Sequence, residues 1–178
     1  MATGIPPTND LESAIVETLD PGSYTAILSG KNGGTGIGLV EVYDLDQAAV
    51  SQLANISSRG FVDTDDNVMI GGFIIGGGGG SGSTVIVRAI GPSLTAQNIT
   101  GALADPSLDL YDANGMIIAS NDNWKDTQEA EVTATTIPPT NDSESAIVDF
   151  LVPGAYTAIV RGVNGTTGVA FVEVYNLN

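Results

Sequence analysis

Ile5-Pro6-Pro7-Thr8-Asn9-Asp10 recurs later in this chain as Ile137-Pro138-Pro139-Thr140-Asn141-Asp142. In the same way, Val40-Glu41-Val42-Tyr43 recurs as Val172-Glu173-Val174-Tyr175. Both pairs are separated by the same distance along the chain, so they belong to one longer repeat and not to two short coincidences.

The full repeat aligns residues 2–46 with residues 134–178 without a gap, and 30 of the 45 positions are identical. Residues 47–133 occur only once. Self-similarity at this spacing indicates a tandem array whose unit is one domain long.

The repeated segment predicts three β-strands, at residues 145–151, 155–161 and 169–177. Pro153-Gly154 and Asn164-Gly165 separate these strands. Glycine and asparagine accept the positive φ that tight hairpin turns need, so the three strands are expected to follow one another as hairpins.

The unique segment predicts five more strands, near residues 54–58, 67–75, 84–90, 108–112 and 116–120. Residues 112–115 form a further turn signal, and the glycine-rich run at 76–83 predicts a mobile loop. Eight strands are too many for one half-exposed sheet. The fold class is therefore all-β: an antiparallel, jelly-roll-like β-sandwich for the full repeat, plus a three-strand partial repeat.

Three divisions of the chain follow from the repeat. Residues 1–46 are expected to be the C-terminal third of a preceding repeat, and residues 54–178 a complete β-sandwich. Residues 47–53 form the linker, with a helical turn expected over 48–53.

One of the two three-strand copies is surplus, because a single five-strand segment completes only one sandwich. The surplus hairpins would leave an apolar face and open sheet edges in water. They can pack on their own chain, fray, or insert into a neighbouring molecule and supply strands that it lacks. The last arrangement is head to tail and does not close, so it produces filaments. The sequence does not decide which copy completes the core.

The strands and turns of the unit follow an order that is found in a known family. The order is carried by Leu108-Asp109-Leu110-Tyr111-Asp112, Asn114-Gly115, Ile118-Ala119-Ser120-Asn121-Asp122 and Pro153-Gly154-Ala155-Tyr156-Thr157-Ala158-Ile159-Val160. It resembles the bacterial pre-peptidase C-terminal domain over residues 67–177. The resemblance implies a jelly-roll-like sandwich appended to secreted enzymes and surface proteins, which in some members binds calcium.

Two further stretches, Leu53-Ala54-Asn55-Ile56-Ser57-Ser58-Arg59-Gly60 and Val87-Arg88-Ala89-Ile90-Gly91-Pro92-Ser93-Leu94, look like a related repeat. That repeat is seen in very long extracellular bacterial proteins. The resemblance implies an exported, non-enzymatic module.

Composition excludes several classes of function. The chain has 21 acidic and 5 basic residues, a formal charge of −16, and neither cysteine nor histidine. Thiol chemistry and Cys/His zinc sites are excluded, and a basic groove for nucleic acid is absent. No apolar run reaches the length of about 20 residues that spans a bilayer. The glycine run lacks the Lys-Ser/Thr ending of a phosphate loop, so an enzyme is not expected.

An acidic loop set is the candidate metal site. Calcium takes six to eight oxygen ligands from carboxylates, amides and carbonyls, which two converging loops can supply. Asn and Asp also cap turns by bonding to their own backbone, and this alternative stays open. The candidate ligands are Asn121, Asp122, Asn123, Asn141, Asp142 and Glu144.

Two other features are candidate sites. Trp124 is the one tryptophan and follows a polar loop, where an exposed indole could stack on a sugar, although a lone Trp also caps sandwich ends. Arg88 interrupts an apolar strand and is expected to pair with a carboxylate, for which Glu173 and Glu41 are the candidates.

The sequence thus predicts a non-catalytic structural or adhesive module of a secreted or cell-surface bacterial protein, with self-association into filaments by strand complementation. The alternative is a carbohydrate-binding or calcium-stabilised accessory module. No cofactor is required, Ca²⁺ is the candidate ion, and glycans are candidate partners. Neither nucleic-acid binding nor membrane insertion is expected.

Overall fold

The computed structural model describes residues 3–45, 53–76 and 82–178 of the chain. The chain divides into two compact units, Met1–Gln52 and Leu53–Asn178.

Two sequence-based expectations lie largely outside the described residues. The linker and helical turn predicted over 47–53 fall there up to residue 52, and so does the centre of the glycine-rich loop, residues 77–81.

The described residues of the second unit form eight strands in two antiparallel sheets: β1 (Asn55–Val62), β2 (Met69–Ile75), β3 (Ser83–Ile90), β4 (Pro106–Tyr111), β5 (Ile117–Asn121), β6 (Ser145–Leu151), β7 (Gly154–Gly162) and β8 (Gly168–Asn176). The first sheet has the order β1-β8-β3-β6, and the second has the order β2-β7-β4-β5. This is the jelly-roll order, so the predicted antiparallel β-sandwich is confirmed. Each strand lies within a few residues of its predicted position.

Alternation of apolar and polar residues explains why these segments are strands. In β4, Leu108 and Leu110 are buried and point into the core, while Ser107 and Asp109 lie on the outer face. A strand places successive side chains on opposite faces, so this pattern fixes which face of the sheet is covered.

The turn between β4 and β5 is closed by Asp112. Its Oδ1 accepts hydrogen bonds from the backbone N–H groups of Asn114 and Met116, both at 2.9 Å. Gly115 adopts φ 76°, which the predicted turn requires. The hydrogen bond from Met116, followed by that from the Asn114 side chain, holds the pKa of Asp112 below its usual value.

The main core lies between the two sheets. The rings of Phe73 and Tyr156 stack there with centroids 5.6 Å apart. Gly71 allows the sheets to approach closely, since a Cβ at this position would lie 2.9 Å from Cγ1 of Val172. Burial of each large apolar side chain contributes about 1.5–3 kcal/mol, so this layer supplies the main stabilisation.

A second apolar layer covers the outer face of the first sheet. It consists of Ile86, Trp124, Val132 and Ala146. Val132 belongs to a short helix, α1 (Glu129–Ala134), which the sequence did not predict. One turn and a half of helix with a single buried apolar residue is too short to show helical periodicity.

The repeated segment holds the unique segment together. β8 lies between β1 and β3, β7 lies between β2 and β4, and β6 pairs with β3. Of the six strand pairings among the described residues, only β4 with β5 does not use β6, β7 or β8. The C-terminal copy therefore completes the sandwich, which the sequence had left undecided.

The first unit differs from the second in its secondary structure. Its residues 3–45 contain one 3-10 turn, Lys31–Gly33, and no β-strand, and every one of them except Thr3 is exposed. The three strands predicted for this copy are not formed in the single chain. A strand needs a neighbour for its backbone hydrogen bonds, and the partners that the C-terminal copy uses, β1 to β4, are already occupied by that copy.

Candidate functional site

Glu144 anchors the repeated segment to the unique segment, just before β6 begins. Its side chain is fully buried. Oε1 accepts hydrogen bonds from the backbone N–H groups of Gly91 (3.1 Å) and Ser93 (3.0 Å) and from Ser93 Oγ (2.5 Å). Oε2 accepts one from the backbone N–H of Asn141 at 3.2 Å. Both carboxylate oxygens therefore face donors only.

A second polar anchor joins β8 to β3. Arg88 and Glu173 are paired residues in the ladder, and Arg88 Nη2 lies 2.5 Å from Glu173 Oε2. Glu173 Oε1 accepts a hydrogen bond from Ser57 Oγ on β1 at 3.0 Å. Arg88 Nη1 donates to the carbonyl of Ile137 at 2.6 Å. This anchor therefore joins β1, β3 and β8 to the segment at Ile137, which precedes Pro138-Pro139.

Tyr175 completes this second anchor. Its hydroxyl donates to Glu173 Oε1 at 3.2 Å, and its ring lies 4.9 Å from Arg88 Cζ. Burial, and next to it the charge of Glu173, raises the pKa of Tyr175 above 10.0. The cluster is therefore arranged for a neutral tyrosine beside an ion pair.

The N-terminal copy has the same local hydrogen bonds as the C-terminal copy. Glu12 Oε2 accepts from the backbone N–H of Asn9 at 3.3 Å, as Glu144 does from Asn141. The hydroxyl of Tyr43 donates to Glu41 Oε1 at 3.0 Å, as Tyr175 does to Glu173.

The tyrosine two residues after the Pro-Gly turn of each copy also makes the same bond. Tyr24 donates from its hydroxyl to the carbonyl of Asp20 at 2.7 Å, and Tyr156 donates to Val152 at 2.8 Å. These bonds span four residues in both cases, so they form without help from the sheets.

Backbone conformation follows the same correspondence. Within residues 3–45, positive φ occurs at Gly4, Asn32 and Gly33. Their counterparts 132 positions later, Thr136, Asn164 and Gly165, are the positive-φ residues of the segment 134–178. The N-terminal copy therefore holds the turns of the C-terminal copy, although it lacks the strands.

The two copies differ in how far their apolar side chains are buried. Ile15 is 91% exposed and Ile37 is 90% exposed, whereas Ile147, the counterpart of Ile15, is 2% exposed. Apolar side chains this exposed on one short segment are unusual for a surface that has no partner. We therefore take residues 3–45, together with the anchors that hold the C-terminal copy, as the candidate functional site.

The two loops that carry the six predicted metal ligands contact each other, but three of these side chains have other partners. Asn121 is buried, and its Oδ1 accepts from the backbone N–H of Ala146 at 2.9 Å, while Glu144 is saturated by the donors given above. Asp142 forms an ion pair with Lys125 at 2.6 Å. Across residues 3–45, 53–76 and 82–178, no three acidic side chains are grouped so that they could hold a metal ion. In this structure the side chains of Asn121 and Glu144 serve bonds that hold β6 and the loop before it.

Of the remaining predicted ligands, Asn141 lies before β6, where its Oδ1 accepts from the backbone N–H of Ser143 at 3.0 Å, and Asp122 and Asn123 lie in the loop after β5. The Nδ2 of Asn123 donates to Asp126 at 3.2 Å. Partial burial, followed by the charges of Asp105 and Asp126, raises the pKa of Asp122. This loop concentrates negative charge, and it meets the second loop through Lys125 and Trp124.

Trp124 is not an exposed platform for a sugar. Its side chain is 7% exposed, it belongs to the apolar layer over the first sheet, and Nε1 donates to the carbonyl of Asn141 at 3.2 Å. Lys125 Nζ lies 5.1 Å from the ring centroid. The alternative stated from the sequence, a tryptophan that caps the sandwich, describes this residue.

Ser93 is the part of the site that sequence reasoning missed. It lies in a 3-10 helix, Pro92–Gln97, and meets Glu144 across 51 residues of chain. Nothing local marks Ser93. The spacing of Asn141 and Glu144, which is that of a capping box, was the signal available for its partner.

In the part of the chain that the structure describes, no helix is long and apolar enough to cross a membrane.

Comparison with known proteins gives one kind of match. No family model and no curated protein matches the chain. Among solved structures, the chain is similar to the pre-peptidase C-terminal domain of a collagenase from Bacillus anthracis. The two are 13% identical, with a TM-score of 0.43, and the match covers 67% of this chain and 88% of that chain.

Proposed function

We propose that this chain is a non-catalytic structural or adhesive module of a secreted or cell-surface bacterial repeat protein, and that copies associate head to tail by strand complementation. One observation carries the proposal. Residues 3–45 keep the turns and local hydrogen bonds of the segment that completes the sandwich, yet their apolar side chains are exposed.

The buried polar groups support a non-catalytic role. The buried polar residues of the described chain are Asn121, Glu144, Ser145 and Glu173. Each is engaged in hydrogen bonds that join strands or loops, such as the 2.5 Å bond from Ser145 Oγ to the carbonyl of Pro106. Groups that serve as strand anchors are not free to act on a substrate.

The charge of the chain supports an extracellular array with protein partners. A formal charge of −16 disfavours association with nucleic acid or anionic membranes. It also keeps separate modules soluble, so association needs a specific, apolar contact. The exposed apolar side chains of residues 3–45 offer such a contact.

Electron microscopy and sedimentation velocity over rising protein concentration test the proposal. We expect linear polymers that lengthen with concentration, and a chain that stays monomeric throughout would overturn it. The control is the double variant Ile15→Asp/Ile37→Asp. Both residues are exposed, so these substitutions leave the sandwich folded and should abolish the polymers.

A further inference from the structure

We infer that residues 3–45 are an exchangeable third of the sandwich: in a second copy of this chain they take the place of β6, β7 and β8, with Glu12 and Glu41 as their two polar anchors. This inference rests on the proposed head-to-tail association. It names the partner, the surface that receives the segment and the residues that set its register.

The receiving surface is defined by the strand order. β8 runs between β1 and β3, and β7 runs between β2 and β4. A segment that replaces the C-terminal copy must therefore present two strands to the first sheet, in the places of β6 and β8, and one to the second sheet, in the place of β7. A turn must join the strands that replace β7 and β8. Residues 3–45 carry that turn at Asn32 and Gly33, with φ of 56° and 74°, close to the 55° and 71° of Asn164 and Gly165.

The two copies also match in core volume. Val160 on β7 and Ala170 on β8 are both fully buried in the main core. The N-terminal copy has Leu28 and Gly38 at these positions. One side chain gains a carbon and the other loses one, so the two pairs have the same number of side-chain carbons.

The geometry of the N-terminal copy shows that this exchange is coupled. A Cβ on residue 38 would overlap Leu28 Cδ2. Glycine at 38 therefore makes the room that leucine at 28 requires. Volume-conserving changes are those that a packed core tolerates best, and a free arm would have no reason to conserve the volume.

The polar anchors of the N-terminal copy are half complete. Glu12 already accepts from Asn9, and among the described residues it has no donors equivalent to Gly91 and Ser93. Glu41 already accepts from Tyr43, and within the same described ranges it has no cation equivalent to Arg88. A second copy of this chain offers both missing halves at the spacing that its own Glu144 and Glu173 use.

Exchange replaces one buried copy by another, so its free energy is the difference between the two copies. The C-terminal copy has one ion pair that the other copy cannot form, Arg161 with Asp109 at 2.7 Å, since residue 29 is serine. Because 30 of the 45 positions are identical, a single substitution in either copy should shift which one occupies the sandwich.

Disulfide trapping tests the inference, because the chain has no cysteine of its own. Phe61 on β1 pairs with Val169 on β8, and Ile37 is the counterpart of Val169. Full-length chains carrying Ile37→Cys and Phe61→Cys separately are unfolded, refolded together and oxidised in a glutathione buffer. Paired residues of a ladder lie about 4.5–5.5 Å apart between Cα atoms, within the range of a disulfide.

We expect a disulfide-linked heterodimer. Leu39→Cys is the register control: it is two residues away from Ile37, at a diagonal distance of about 7–8 Å from Phe61, and should give little product. Glu12→Gln in the donor chain leaves both sandwiches intact and should lower the heterodimer yield about tenfold. Glu144→Gln in the acceptor chain should raise it.

Each result has one meaning. If the Leu39→Cys chain is trapped as well as the Ile37→Cys chain, or if Glu12→Gln has no effect, the inference is overturned. Polymers in the microscope without the heterodimer disulfide would overturn the inference and leave the head-to-tail association standing. If neither polymers nor the disulfide form, both the inference and the proposed head-to-tail association are overturned.

Discussion

Arg88 and Glu173 face each other across β3 and β8, 2.5 Å apart between Nη2 and Oε2, with side chains only 14% and 9% exposed. Breaking a mostly buried ion pair leaves one charge without compensation, which costs more than the pair itself contributes.

The first prediction concerns this pair. Glu173→Gln should lower the free energy of unfolding by about 3 kcal/mol, because Arg88 stays charged and buried. Urea denaturation of the full chain measures it. The matched control is Glu41→Gln, the same residue in the exposed copy, which should change stability by less than about 0.5 kcal/mol. Equal losses from both substitutions would contradict the assignment of Glu173 as an anchor.

The second prediction concerns the anchor before β6. In Glu144→Gln the amide nitrogen must face either Asn141 or the donors of Gly91 and Ser93, so a donor meets a donor. We expect a loss of about 3 kcal/mol. Glu12→Gln, which sits in the same sequence context without the second half of the site, should have almost no effect on the melting temperature at low protein concentration.

The third prediction tests the matched core volumes. Val160→Leu alone should destabilise the sandwich by about 1–3 kcal/mol, because it adds a carbon to a packed core. Ala170→Gly alone should also destabilise it. The double variant, which copies Leu28 and Gly38, should be more stable than the sum of the single losses predicts, and a double-mutant cycle measures this coupling. Additive losses would show that the two positions do not share a cavity.

The fourth prediction concerns alkaline pH. The raised pKa of Tyr175 means that the folded state keeps its hydroxyl protonated when the unfolded chain, with a pKa near 10.0, begins to ionise. Protons are then bound more tightly by the folded state, so stability is fully present below pH 10.0 and falls as pH rises through the folded pKa. Denaturation of the wild type and Tyr175→Phe between neutral and strongly alkaline pH should show a shallower decline for the variant.

The fifth prediction concerns calcium. Asn121 and Glu144 are already hydrogen-bonded, and Asp142 is paired with Lys125. We expect the melting temperature to be the same in chelator and in added calcium. A ligand that binds only the folded state raises its stability, so a calcium-dependent rise would identify a site that these contacts do not account for.

Much of the fold could be predicted from the sequence because the relevant signals are local. Alternating apolar residues in β4 and β7, and turn residues such as Asn164-Gly165, predict strands and hairpins wherever they occur. The helix Glu129–Ala134 and the contact of Ser93 with Glu144 could not be predicted. The first is too short to have a period, and the second joins loops that nothing in the sequence brings together.

The sequence by itself determined that residues 2–46 and 134–178 share one strand-and-turn pattern, since hairpin turns and their local hydrogen bonds involve residues only a few positions apart. Only the tertiary structure decided which copy is inside the sandwich, and that Trp124 is covered. The first outcome depends on which copy pairs with β1 to β4, and the second on the packing of Trp124 against Ile86 and Val132. Both join residues that are far apart in the sequence, so no local pattern could reveal them.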